Sequence, residues 1–331
     1  MRQLYPKYFL PEGRHGRAVL GPATNSISFW LESSVRRPHS MSTAIADLPG
    51  PFAARRVIEF EGPYLAPEFL LPDAQPGAFL ATKASQDPRF YEKATNKVVM
   101  ANHSILIVTP RSKILVDTCI GNNKHRPRNP HWHMRTGPFL EDLKSIVALA
   151  DIDYVLCTHL HGDHVGWNTH LQDGRWRPTF PRAKYLFGRT EVAFWQKAIS
   201  SDPETNHGSW VDSMQPIFDA GQAIVVDDDY EIEPGVRLVP APGHTPGNIM
   251  IRLEHGGAIS YVIGDTMHHP VQIERPEWSS KFCWDKSLST QARQSLLEAI
   301  ADTGAWIIPA HFPTPTALRI ESHAHGFKSC G

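Results

Sequence analysis

Apolar residues along the chain gather into short runs that break off at polar turns, and stretches with helical spacing lie between several of them. Val98 to Val108 is strand-like, with Lys113-Ile114-Leu115-Val116-Asp117 as its partner across the turn Thr109-Pro110-Arg111-Ser112. Tyr154-Val155-Leu156-Cys157 is short and apolar throughout, as expected of a buried strand. Ala183 to Phe187, Val236 to Val239, Ile259 to Ile263 and Trp306 to Ile308 also read as strands. Pro138 suits the first turn of a helix whose Phe139, Leu140, Leu143, Ile146, Val147 and Ala150 share one apolar face. Further helices are predicted from Thr190 to about Ile199 and from about Thr290 to Ala301, and Ser201 to Gly221 reads as a helical insertion. Strands alternating with helices predict an α/β fold.

The pattern weakens towards the N-terminus. Residues 1–40 are rich in Arg, Pro, Gly and Ser, show no sustained periodicity and precede a second methionine, Met41. They are either a disordered tail or lie ahead of the true start. In residues 41–95, Pro49, Pro51, Pro63, Pro67, Pro72 and Pro76 rule out long helices. An extended segment that wraps the main domain or takes part in a homodimer contact is expected there. The main domain is expected to begin near Asn96 and run to residue 331; a chain of 331 residues with 41% hydrophobic content can build it around one large core.

Charge narrows the choice of partner. The chain carries 33 basic and 34 acidic residues, a net charge of -1, without a block of like charges. It thus has no electrostatic footprint for nucleic acid or an anionic membrane, and a small, nearly neutral substrate fits better. Cys119, Cys157, Cys283 and Cys330 form no CxxC pair, which suits reduced thiols in a cytoplasmic chain, and Cys119 and Cys157 lie in apolar runs where packing is the default role. No stretch approaches the ~20 apolar residues of a membrane span. Arg14, His15 and Arg17 interrupt any secretory signal core.

The chemistry concentrates in Thr158-His159-Leu160-His161-Gly162-Asp163-His164-Val165-Gly166-Trp167, directly after the buried strand at 154–157. Strand ends are where α/β folds keep their ligands. Imidazole nitrogen and carboxylate oxygen suit zinc and its neighbours, and four such groups this close cannot all reach one ion from one side of a strand. Two metals are therefore expected. His159 and His161 point one way, and after the Gly162 bend Asp163 and His164 can turn towards a second ion. With 18 histidines in the chain, a lone His-x-His would mean little; this density means more.

The stretch resembles the His-x-His-x-Asp-His signature of the metallo-β-lactamase fold superfamily. Three downstream segments resemble the rest of that signature: Pro242-Gly243-His244-Thr245-Pro246-Gly247, Ile263-Gly264-Asp265 and Pro309-Ala310-His311. The resemblance covers roughly residues 96–320 and implies a four-layer αββα sandwich of two mixed sheets. It further implies one metal on His159, His161 and His244, a second on Asp163, His164 and His311, and Asp265 bridging them. Zinc is the first expectation, and such nitrogen and oxygen sets also accept Mn, Fe or Co. Two such ions can hold a hydroxide already ionised at neutral pH, which would be the nucleophile, with Asp163 carrying the proton to the leaving group.

His244 follows His159 by 85 residues, Asp265 follows His244 by 21, and His311 follows Asp265 by 46. With Gly264-Asp265-x-x-His268, these spacings look most like the methyl parathion hydrolase and N-acyl homoserine lactonase branch. Hydrolysis of a lactone, carboxylic ester or phosphotriester is the leading expectation. A β-lactamase, or another amide or thioester hydrolase of the same fold, is the alternative. From other classes, a nuclease would want a basic surface, and a non-catalytic metal-binding protein would be expected to have lost a ligand.

Four segments carry two readings each. Asp117 resembles the superfamily aspartate that holds the metal loop by hydrogen bonds, and is equally a strand-end cap. The loop Gly121 to Thr136, with Arg126, Arg128, His131, Trp132 and Arg135, either lines the substrate mouth or is solvated. The aromatics of Ser201 to Gly221 either form an acyl or aryl pocket or pack on the sandwich. His268 and His269 either bond a ligand or leaving group, or are solvated or lie behind the ligands.

Overall fold

The computed structural model describes residues 45–330 except Asp47 and His325, so the expectation for residues 1–40 lies outside the described residues. The chain enters the fold on β1 (Ala53–Leu65). Three short helices follow, α1 (Pro67–Leu70), α2 (Pro76–Leu80) and α3 (Lys83–Gln86), and then β2 (Tyr91–Glu92), β3 (Lys97–Val108) and β4 (Lys113–Val116). A six-residue helix, α4 (Phe139–Lys144), leads to β5 (Tyr154–Leu156). After a small hairpin of β6 (Thr169–Gln172) and β7 (Arg175–Pro178) come β8 (Lys184–Gly188), α5 (Arg189–Ser201), α6 (Gln215–Asp219) and β9 (Ala223–Val226). The first sheet runs β1-β3-β4-β5-β8-β9, with β2 beside β3; it is antiparallel as far as β4 and parallel from there.

The second sheet takes its strands in sequence order: β10 (Glu231–Glu233), β11 (Val236–Pro240), β12 (Ile249–His255), β13 (Ala258–Gly264), β14 (Trp306–Pro309), β15 (Leu318–His323) and β16 (Gly326–Cys330). The β13–β14 step is parallel, and α7 (Val271–Glu274) and α8 (Lys286–Ile300) fill the crossover.

Period-two alternation decides which core each strand residue joins. Ile105, Ile107, Ile114, Val116 and Leu156 face Val236, Leu238, Ile249, Ile251 and Val262 of the second sheet. Their neighbours Leu106, Leu115 and Val155 turn outward beneath Phe139 and Leu143 of α4 and Val192 and Trp195 of α5. Met250, Ile263 and Ile307 likewise meet Leu296, Leu297 and Ile300 of α8. Helix, sheet, sheet and helix stack as four layers. These strands read as nearly unbroken apolar runs because both faces are covered.

The boundary expected near Asn96 falls within a hydrogen-bonded sheet. Residues 53–65 pair along β3 from Ala53 opposite Val108 to Leu65 opposite Val98, with irregularities at Ile58/Phe60 and Pro63/Leu65. Charges in Arg55-Arg56 and at Glu59 and Glu61 hide the strand pattern, yet Arg56 is buried against Glu61 at 2.7 Å. Helix α4 stops at Lys144, short of the expected Ala150, and α8 begins a turn before Thr290, where the Asp285 carboxylate accepts the Leu288 N–H at 2.9 Å. No helix among the described residues is long and apolar enough to cross a membrane.

Candidate metal centre

Strand β5 delivers the loop that begins at Thr158, and the end of β4 delivers the group that shapes it. Asp117 sits at φ 54°, and its carboxylate accepts the Thr158 N–H at 2.7 Å, the Thr158 hydroxyl at 2.9 Å and His164 Nδ1 at 2.9 Å. Of its two readings, the one that holds the loop is realised. The ends of β13 and β14 bring Asp265 and His311 to the same edge, where His311 Nδ1 donates to the Ala101 carbonyl at 2.9 Å. Gly264 has φ +48°, and a side chain there would collide with Thr158, so glycine lets the Asp265 turn close on the histidine loop.

All seven expected site residues converge. His159 Nε2, His161 Nδ1 and His244 Nε2 form a triangle with sides of 2.9, 2.9 and 3.1 Å. Neutral imidazoles meeting this way turn lone pairs at one another, an arrangement favourable around a shared cation, and three ligands at zinc–nitrogen distances stand roughly 3.3 Å apart. Asp265 faces two ways. Its Oδ2 lies 3.1 Å from His244 Nε2 and 3.8 Å from His159 Nε2, while Oδ1 lies 3.1 Å from His311 Nε2 and 3.4 Å from His164 Nε2. Asp163 closes the second group, 3.9 Å from His164 Nε2 and 3.7 Å from His311 Nε2. His164 Nε2 and Asp265 Oδ1 are buried without hydrogen-bond partners. Such orphaned atoms, in a nitrogen and oxygen set, fit divalent metal ions.

The electrostatics divide the cluster in two. Burial holds His159 and His244 well below the usual histidine range and brings His161 to about 4, so these rings are neutral, the form that binds metal. Burial opposes protonation of His164 and His311 too, but the carboxylates around them, Asp265 foremost, outweigh it and raise both. Asp265 is buried, yet the surrounding histidines, led by His311 and His164, hold it well below the ordinary carboxylate range.

His268 narrows the readings open to it. It is not solvated: it is buried, its ring centroid lies 4.8 Å from that of His244, and it stacks on His311 at 5.8 Å. Its Nε2 comes within 3.2 Å of Asp265 Oδ2, off the hydrogen-bonding direction, and both ring nitrogens lack a partner. His244, Asp265 and His268 form a further group able to hold an ion. His269 is also buried, and its Nε2 bonds the Phe90 carbonyl at 2.8 Å. The spacing Asp265-x-x-His268 was the visible signal; the burial was not.

The two remaining segments divide. Lys124 and Arg126 of the 121–136 loop are buried, with Arg126 paired to Asp212 by two contacts of 2.7 Å, and so are neither solvated nor at the mouth. His131, Trp132 and Arg135 line a small pocket with Phe60, Tyr64, Asn102 and Ile120. Asn102 Nδ2 reaches Asp163 Oδ2 at 3.3 Å, which sets this pocket beside the cluster. The aromatics of the 201–221 insertion pack instead: Trp210 stacks on Phe218 at 5.7 Å, and Phe218 on Phe187 at 5.9 Å.

Comparison with known proteins agrees with this architecture. A family model described as the metallo-beta-lactamase superfamily matches residues 99–311. An N-acyl homoserine lactonase from a Bacillus species is 29% identical over 116 residues, 34% of this chain and 38% of that protein; another from Bacillus cereus is 28% identical over 116 residues, with the same shares. The chain thus matches well under half the length of these relatives. Among solved structures, the hydrolase AbOPH of the beta lactamase superfamily superposes with a TM-score of 0.69 at 21% identity, covering 85% of this chain and 94% of that one. AidC, a dizinc quorum-quenching lactonase in complex with a product, gives 0.67 at 23%, covering 86% and 95%.

Proposed function

The chain belongs to the metallo-beta-lactamase superfamily, and from that premise we propose that it hydrolyses a lactone, carboxylic ester or phosphotriester at a pair of divalent metal ions. The observation that carries the reading is the two-sided Asp265, with one oxygen towards His244 and His159 and the other towards His311 and His164. His159, His161 and His244 would hold one ion, Asp163, His164 and His311 the other, and Asp265 both. Two bound ions would supply Lewis acidity and a water ionised near neutral pH. Zinc suits the donors, as do Mn, Fe and Co.

The chain's own residues do the rest. Asp163, steadied by Asn102, carries the proton towards the leaving group. His268, with unpaired ring nitrogens at the edge of the cluster, donates a hydrogen bond to the substrate oxygen on which charge develops. Phe60, Tyr64, Ile120 and Trp132 give the small pocket beside Asp163 an apolar wall. Glu59, partly buried, accepts the backbone N–H groups of Ile120 and Gly121 at 3.0 and 2.9 Å, and burial raises its carboxyl against the opposing pull of Arg135. A neutral substrate is the better match, and the lactonase relatives favour a lactone or ester within the class.

The test is a hydrolysis panel on metal-analysed protein: an acyl homoserine lactone, an aryl ester, methyl paraoxon and a cephalosporin, each with wild type and Asp265→Ala. The expected result is close to two metal equivalents and lactone or ester turnover that the substitution abolishes. Turnover indifferent to Asp265 would sink the mechanism, and cephalosporin turnover alone would move the substrate to the β-lactam class.

A further inference from the structure

The two halves of the cluster are built on different parts of the fold. Asp163, His164 and His311 are fastened to the first sheet. Asp117 at the end of β4 holds His164, the Ala101 carbonyl of β3 holds His311, and Asn102 beside it holds Asp163. In the other half, His159 has the Thr158 hydroxyl at 3.2 Å. The His244 loop is met by the Trp284 N–H on the His244 carbonyl at 2.9 Å and by Cys283 Sγ 3.8 Å from His244 Nδ1. No side chain bonds the His161 ring from a sheet among the described residues.

Two side chains from outside the sheets tie those loops. Glu191, in the first turn of α5, is buried. Its Oε1 accepts the Leu160 N–H at 3.0 Å and the Trp195 indole N–H at 2.6 Å, and its Oε2 accepts the Gly247 N–H at 3.0 Å. It therefore joins the loop of His159 and His161 to the loop of His244. Asn206, from the insertion after α5, donates from Nδ2 to the Leu160 carbonyl at 2.6 Å and accepts the Gly162 N–H on Oδ1 at 3.0 Å. One amide thus holds the peptide groups on either side of His161.

The backbone that presents this amide is unusual. Asn206 (φ 52°, ψ 38°) and His207 (φ 58°, ψ 24°) are left-handed, and Gly208 follows at φ 71°. Asparagine tolerates that region better than most residues, and histidine occupies it here with its ring 5.1 Å from that of Trp132. Left-handed residues at a ligand loop mark a conformation the surrounding structure enforces.

We infer that Glu191 and Asn206 are positioning residues for only one of the two metal sites, that of His159, His161 and His244, so that this site can weaken while the other, apart from the shared Asp265, keeps its own supports. The inference rests on the binuclear reading above. It accounts for an insertion whose aromatics pack on one another and on Phe187: its job at the site is to fix the direction of His161. Positioning through outer contacts of this kind typically sets metal affinity by ~10–100-fold.

The test is stepwise chelation of the metal-loaded protein, with metal content and the visible spectrum of the cobalt form as readouts. Asn206→Gly keeps the left-handed backbone and removes only the amide; Asn206→Asp keeps the acceptor for Gly162; Glu191→Gln probes the second tie. Wild type should hold two equivalents. Asn206→Gly should keep one at wild-type affinity and bind the other ~10–100-fold more weakly, with one set of cobalt bands altered. Asn206→Asp should lie between, and Glu191→Gln should weaken the same ion. Both ions weakening by one common factor, or neither weakening, would overturn the inference. A wild type that binds a single equivalent would instead overturn the binuclear reading on which it stands.

Discussion

At the scale of single residues, the cluster shows how a donor's outer contact decides its inner one. His164 and His311 each commit Nδ1, to Asp117 and to the Ala101 carbonyl, and so present Nε2 to the centre. His161 is turned the other way and presents Nδ1. His268 commits neither nitrogen to a hydrogen bond, and under the proposed reading it serves as a donor to substrate and not as a ligand. His268→Ala should lower kcat by ~10²–10³-fold, the usual cost of losing one oxyanion donor. Metal content should stay at the wild-type value. His268→Gln, which restores an N–H donor, should recover part of the rate. If the alanine variant instead loses an equivalent of metal, His268 is a ligand.

At the scale of elements, the 121–136 loop and the insertion after α5 are locked together by buried charge. Lys124 Nζ donates to Thr169 Oγ1 at 2.7 Å and to the Asp212 carbonyl at 3.2 Å, and lies over the Trp176 ring at 3.6 Å. Burial, only partly offset by Asp212, lowers its pKa from 10.5 to about 7. The sign follows from linkage: above pH 7 the folded state has released a proton that the unfolded chain keeps, so this group adds stability as pH rises towards 10. Wild type should therefore gain melting temperature relative to Lys124→Met between pH 7 and pH 9. A difference that does not move with pH would mean that Asp212 keeps Lys124 charged throughout, against burial and the Arg126 charge. The 121–136 segment looks like a polar loop in sequence because Lys and Arg are normally solvated, and only Asp212 of the insertion brings Lys124 and Arg126 inside.

At the scale of the whole molecule, the near balance of charge argues that substrate arrives without long-range steering. The value of kcat/KM for a neutral lactone or ester should thus change less than about twofold as ionic strength rises from ~0.05 to ~0.5 M, a range over which exposed charges are largely screened. A steep fall, measured by initial rates, would point to an anionic substrate and to Arg135 acting as its counter-ion. The two sheets meet over one apolar core, and the ligands come from the ends of β5, β13 and β14 and the loop after β11, so the centre is assembled only when both sheets are in place.

Sequence alone determined the strands buried on both faces, because an unbroken apolar run such as 154–157 has few other uses. It also pointed to the seven residues that converge at the strand ends: His159, His161, Asp163 and His164 through their density, and His244, Asp265 and His311 through the resemblance of their segments to the superfamily signature. It did not reveal β1, whose Arg55-Arg56 and flanking glutamates break the alternation, nor the hairpin of β15 and β16 that closes the second sheet. Nor could it place His268 inside the cluster, or give Glu191 and Asn206 their roles, since one sits in a helix that reads as ordinary and the other in a polar turn. Local composition records what a residue is; these three act through partners 24 to 56 residues away or more, such as Gly247 for Glu191, Leu160 for Asn206 and His244 for His268. Only the packing of α5 and its insertion against the strand-end loops brings them into reach, and that packing is a property of the tertiary structure.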